Sequence, residues 1–110
     1  EAASDLKVSC MEIFAPVVTL TKFHDVSEAI RMVDDSEFGL QAGIFTNDLR
    51  VINEAYNNIE AGGLMVNEVP TYRQDHMPYG GVKKSGFGRE GLKYAIEEMT
   101  QGRLIMFAQT

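Results

Sequence analysis

Apolar residues recur at helical spacing in two stretches of the chain. Val26, Ala29, Ile30 and Val33 form the first stripe, and Asp25 ahead of it with Glu28 three residues on makes a capping-box pattern. This predicts a helix that stops before Gly39. The second stripe is Leu49, Ile52, Ala55, Tyr56 and Ile59, with Asn47 or Asp48 placed to cap it. Between the stripes, Leu40 to Thr46 is a short apolar run suited to a buried strand, and Leu64 to Val66 is another after the Ala61-Gly62-Gly63 break. Pro16 to Phe23 is rich in β-branched residues and predicts a strand ahead of the first helix. From Asn67 to Gly88 the periodicity vanishes, which predicts a long ordered loop of the kind kept for function. Arg89 to Met99 then predicts a third helix with Leu92, Ala95, Ile96 and Met99 inward, and Arg103 to Phe107 a final strand. Strand and helix alternating with short connections give an α/β class with right-handed parallel crossovers. The last strand follows a long loop and a helix, so it need not share the same sheet.

Composition narrows the picture without changing it. The chain has 110 residues, one domain or part of one, with ordinary hydrophobic and charged shares of 45% and 24%. No apolar run approaches a membrane span, so no membrane partner is expected. A formal charge of −6 and the lack of a basic stripe argue against nucleic acid. Cys10 is the single cysteine, which excludes an intrachain disulfide and fits a reducing, cytoplasmic compartment. The first residues carry neither an initiator methionine nor a secretory pattern, so processing or a start inside a longer chain is expected. His24 and His76 stand alone, and no metal site is expected of them.

The aperiodic segment holds the chemistry-bearing motif. Met77 to Gly91 contains five glycines, which require positive φ or close approach to another surface. A phosphate-binding loop does not fit, because Gly80-Gly81-Val82-Lys83 lacks the separation between the first glycine and Gly-Lys-Ser/Thr. Gly86, Gly88 and Gly91 do make a G-x-G-x-x-G that opens a helix, yet no strand directly precedes it, as a dinucleotide turn needs. From the residues alone, the segment is a structural loop over the end of a sheet.

Pro78 to Glu90 resembles the P-[FY]-G-G-x-K-x-S-G-x-G-R-E block of the aldehyde dehydrogenase superfamily at every specified position. Glu12 to Pro16 is similar to its E-x-F-G-P element, Phe38 to Asp48 to its Y-G-L-x-A-x-x-x-T-x-D region, and Gly62 to Asn67 to its G-x-x-x-V-N strand. The resemblance implies that residues 1–102 are the C-terminal part of a catalytic α/β domain and 103–110 an oligomerisation strand and tail. It implies oxidation of an aldehyde to its acid through a cysteine thioester, with NAD or NADP mostly bound elsewhere. The wording is closest to members acting on small, often anionic or hydroxylated aldehydes, such as lactaldehyde and phosphonoacetaldehyde dehydrogenases.

By the same resemblance, Glu12 accepts hydrogen bonds from the nicotinamide ribose and Phe14 packs by the nicotinamide ring. Tyr72, Arg73 and Tyr79 fall at the aldehyde entrance, where the Arg73 guanidinium could hold an anionic group; for Arg73 a solvated surface role is the competing reading. Arg89 is expected to be structural, and Gln101 stands where many relatives carry glutamate. Ala15 replaces the usual glycine, so a left-handed φ there would be strained. The family's nucleophile lies in a G-Q-x-C context absent here, which leaves Cys10 as a small packing residue and no catalytic residue in the chain. The chain alone is therefore expected to be inactive, and to self-associate as a homo-oligomer through its last strand. The alternative is a free-standing interaction module derived from the same fold.

Overall fold

A computed structural model describes residue 3 and residues 5–109. Asp25 and Glu28 act as the capping pattern predicts. The Asp25 carboxylate accepts from the Glu28 amide at 2.8 Å, and Glu28 Oε2 accepts in return from the His24 amide at 2.7 Å. The helix they start, α2, runs Val26–Asp34, after a single-turn helix α1 at Lys7–Cys10 that no periodicity announces. Two short strands follow, β1 (Phe38–Gly39) and β2 (Gln41–Ile44). Asp48 caps α3, Leu49–Asn58, by accepting from the Arg50 amide at 2.9 Å. The chain then enters β3, Gly63–Val66, which pairs in parallel with β2, Gln41 facing Gly63 and Ile44 facing Val66. Parallel neighbours cannot be joined by a tight turn, and α3 supplies the crossover.

The small core forms where these elements meet. Ile30 of α2, Ala42 of β2, Ala55 of α3 and Met65 of β3 are the buried apolar side chains among the described residues. Helices α2 and α3 pack together, and Ser27 Oγ donates to the Glu54 carboxylate between them. Leu49 and Tyr56 stay exposed, so only part of the predicted α3 stripe is inward.

The glycine-rich segment closes over one end of this unit. Its strand β4, Val82–Lys83, pairs antiparallel with β1, Phe38 facing Lys83 and Gly39 facing Val82. Gly62 permits the approach, because a Cβ built there would lie 1.6 Å from the Gly80 carbonyl oxygen. Lys83 reaches back to α2, its Nζ donating to the Asp34 carbonyl at 2.6 Å and to Asp34 Oδ1 at 2.9 Å. The same Oδ1 accepts from the Glu60 amide at 2.8 Å. The main-chain bond from Glu60, with Lys83 second, holds the Asp34 carboxyl below its ordinary pKa. Helix α4 begins at Leu92, not Arg89, and ends at Met99. Gly88 and Gly91 adopt φ of +76° and +125°, which no α-helix accommodates.

Two expectations, the strand at 16–23 and the inward face of α4, are corrected. Residues 16–23 and 103–107 belong to no strand among the described residues. A β-branched run needs a partner to complete its ladder, and neither segment finds one here. The inward face expected of α4 is exposed at Leu92, Ile96 and Met99. With Val18, Leu20, Leu104 and Phe107 also exposed, the molecule extends over 75 Å. Its radius of gyration is 19.0 Å, against about 13 Å for a compact chain of this length. No helix among the described residues is long and apolar enough to cross a membrane.

Candidate functional site

The chain after α1 carries the first pair of site residues. Glu12 lines a cleft of about 350 Å³ with Cys10, Phe38, Leu40, Gln41 and Ser85. Ser85 holds one wall in place, its Oγ accepting from the Gly39 amide at 3.0 Å. Among the described residues, no ion pair or hydrogen bond engages the Glu12 carboxylate. Phe14 is 97% exposed, its ring left uncovered among the described residues. Ala15 has no left-handed φ, and the turn is made instead by short-range bonds from the Ala15 amide to Ile13 O and from the Val17 amide to Ala15 O. The strain foreseen for an alanine at this position is therefore not incurred. A free carboxylate and a bare aromatic face, two residues apart, suit a sugar diol and a flat heteroaromatic ring.

Cys10 is not the packing residue expected. Its thiol is exposed on the cleft rim, with Sγ donating weakly to Leu6 O at 3.3 Å. The one-turn helix α1 has no core face, so its last residue has nothing to pack against.

The second group sits on the glycine-rich segment. Tyr79 and Glu90 exchange main-chain bonds, Tyr79 amide to Glu90 O at 3.2 Å and Glu90 amide to Tyr79 O at 2.5 Å. This bridge sets the Glu90 side chain and the Tyr79 ring side by side. Arg73 joins both: its guanidinium lies 4.1 Å from the centre of the Tyr79 ring and its Nη2 donates to Glu90 Oε2 at 3.2 Å. Arg73 is thus no freely solvated surface cation, although 45% of its side chain remains exposed. Tyr72 pairs within its own turn, its hydroxyl accepting from Gln74 Nε2 and its amide donating to Val69 O at 3.1 Å. The structure thus unites Arg73 with Tyr79, and adds Glu90, which the sequence offered only as a motif position. Seventeen residues separate Arg73 from Glu90, so no local spacing could signal the pair. Arg89 acts structurally, its Nη1 donating to Gly81 O at 3.2 Å and Gly88 O at 2.8 Å. The walls of the Glu12 cleft include none of Tyr72, Arg73 and Tyr79.

Comparison with known proteins places this geometry. The model of the Aldehyde dehydrogenase family matches residues 1–105. A 3-sulfolactaldehyde dehydrogenase of Priestia megaterium is 56% identical over 102 residues, covering 93% of this chain and 21% of that protein. A lactaldehyde dehydrogenase of Methanococcus maripaludis is 48% identical over 99 residues, 90% of this chain and 21% of its own length. Among solved structures, aldehyde dehydrogenase 21 from Physcomitrella patens, in complex with the reaction product succinate, superposes with a TM-score of 0.85 at 43% identity, over 88% of this chain and 20% of that one. An aldehyde dehydrogenase from Bacillus cereus in complex with NAD+ also gives 0.85, at 32% identity, over 92% and 20%. The chain therefore spans about a fifth of the length of its relatives. With the matching residues running through nearly the whole of it, the chain has an α/β fold and belongs to the aldehyde dehydrogenase family.

Proposed function

We propose that this chain is the C-terminal part of the catalytic domain of a cytoplasmic NAD(P)-dependent aldehyde dehydrogenase that converts a small anionic aldehyde to its acid. The carrying observation is 56% identity over 102 residues to a protein about five times as long. In this reading residues 1–102 form one side of the site, and the nucleophilic thiol and the general base come from the rest of the enzyme. A bound nicotinamide supplies the hydride acceptor. Glu12 accepts hydrogen bonds from the ribose hydroxyls, and Phe14 lies against the nicotinamide ring and fixes its position. The unengaged Glu12 carboxylate and the bare Phe14 ring fit those roles. At the aldehyde side, Tyr72 and Tyr79 line the entrance and Arg73 holds the substrate's anion, with Tyr79 bracing the guanidinium from below. The names of the relatives support an anionic substrate: one is a 3-sulfolactaldehyde dehydrogenase and another was solved with succinate. Residues 103–107 complete a sheet with a second subunit, a role suited to the exposed Leu104, Ile105, Met106 and Phe107.

The test begins with the coding sequence around the chain. The reading expects a longer protein whose purified form reduces NAD or NADP with 4-oxobutanoate, while residues 1–110 alone give no turnover. Glu12→Gln in the long protein should raise KM for the nicotinamide cofactor about tenfold, through loss of charge-assisted hydrogen bonds. A long protein that reduces neither cofactor with any aldehyde would refute it.

A further inference from the structure

The contact between Arg73 and Glu90 has the properties of an exchangeable lock. It uses one nitrogen of the fork, at 3.2 Å, and both side chains are substantially exposed, 45% for Arg73 and 68% for Glu90. A guanidinium carries five N–H donors, so most of the fork is left for a second anion. Glu90 cannot drift away, because its main chain is tied to Tyr79, whose ring in turn supports Arg73. An exposed pair of this kind is weak, so a bidentate anion competes with it successfully. A negative charge fixed beside the fork must also repel an incoming carboxylate or sulfonate.

We propose that Glu90 is the built-in counter-ion of Arg73: it orients the guanidinium when no substrate is bound and sets how tightly that guanidinium grips the anionic end of the aldehyde. The inference rests on Arg73 being the anion-holding residue of the proposed function. It makes Glu90 a specificity-determining residue that acts through Arg73 and touches no reacting atom. The physical consequence is a compromise. The counter-ion weakens substrate binding, but it keeps the fork pre-oriented and speeds release of a product that carries two anionic groups.

The test uses the complete dehydrogenase carrying this chain, with 4-oxobutanoate as the anionic aldehyde and butanal as the neutral one of equal length. Glu90→Gln should lower KM for 4-oxobutanoate about two- to fivefold, the range of an exposed ion pair, and leave KM for butanal unchanged. Combined with Arg73→Met, the same change should have no effect on either aldehyde. Glu90→Ala serves as a second variant, since the bridge to Tyr79 is made by main chain and survives both changes. A shift of both aldehydes alike, or no shift for 4-oxobutanoate, overturns the role of Glu90. A persistent effect of Glu90→Gln in the Arg73→Met background also overturns it. An unmodified enzyme that oxidises butanal with no preference for the anion overturns instead the role of Arg73 in the proposed function.

Discussion

Replacing Gly62 with alanine should detach the glycine-rich segment from the sheet beneath it. The new Cβ would sit 1.6 Å from Gly80 O, 2.7 Å from Gly80 C and 2.9 Å from Leu40 O, all main-chain atoms that cannot rotate aside. Carbon in van der Waals contact needs about 3.5 Å, so the two backbones must part by about 2 Å. The Gly62 amide bond to Gly39 O, now 3.0 Å, lies at the same junction and cannot survive that movement. Overpacking costs about 1–3 kcal/mol and the lost hydrogen bond about 1 more, which gives a loss of about 2–4 kcal/mol. For a chain of this size that is a fall in melting temperature of about 10 °C or more. Gly102→Ala is the control, because a Cβ there meets nothing within 4 Å. Circular dichroism melts compare the two variants, and amide exchange at Lys84, whose amide donates to Glu37 O at 2.9 Å, reports locally on the segment. If Gly62→Ala melts with Gly102→Ala and Lys84 keeps its protection, the close approach of Gly80 to Gly62 is not what holds the segment down.

Acid should weaken the fold in part through Asp34, whose folded pKa lies below its ordinary 3.8 because of the Glu60 amide and then Lys83. Its contribution is full above that ordinary value and disappears as pH falls through the lowered one, so Asp34→Asn should flatten the drop in melting temperature below about pH 4. Ala55 is fully buried where α3 meets its neighbours, so Ala55→Leu should cost about 1–3 kcal/mol in urea unfolding, and a neutral result would mean an unfilled void beside it. Asp25→Ala removes the acceptor for the Glu28 amide and should cost about 1 kcal/mol in the same titration, with Asn at this position restoring most of it.

The two capped helices were legible in the sequence because each signal is local, and the α/β class with the parallel pair β2 and β3 because the strand–helix–strand order implies it. Asp25 and Asp48 bond to amides within three residues, and a helical stripe is defined by neighbours three and four apart. The family motifs were legible for a different reason, since a fixed order of residue types needs no coordinates. Strand length was read less well: Leu40 to Thr46 shrinks to four paired residues, because a ladder extends only as far as its partner does.

The sequence by itself thus determined the class, the helix starts, the placing of Glu12 and Phe14 before the first capped helix, and a long ordered loop after β3. Tertiary structure alone decided where that loop packs. Lys83 meets Asp34 across 49 residues, Ser85 meets Gly39 across 46, and Arg73 finds both Tyr79 and Glu90 only once the main chain of Tyr79 and Glu90 has paired. It also decided against a strand at 16–23, whose residue types favour extension while its amides find no ladder among the described residues. The physical reason is common to both outcomes. Helix caps and periodicity are satisfied within one turn, whereas ladders, glycine contacts and ion pairs between loops require two distant segments to arrive at the same place.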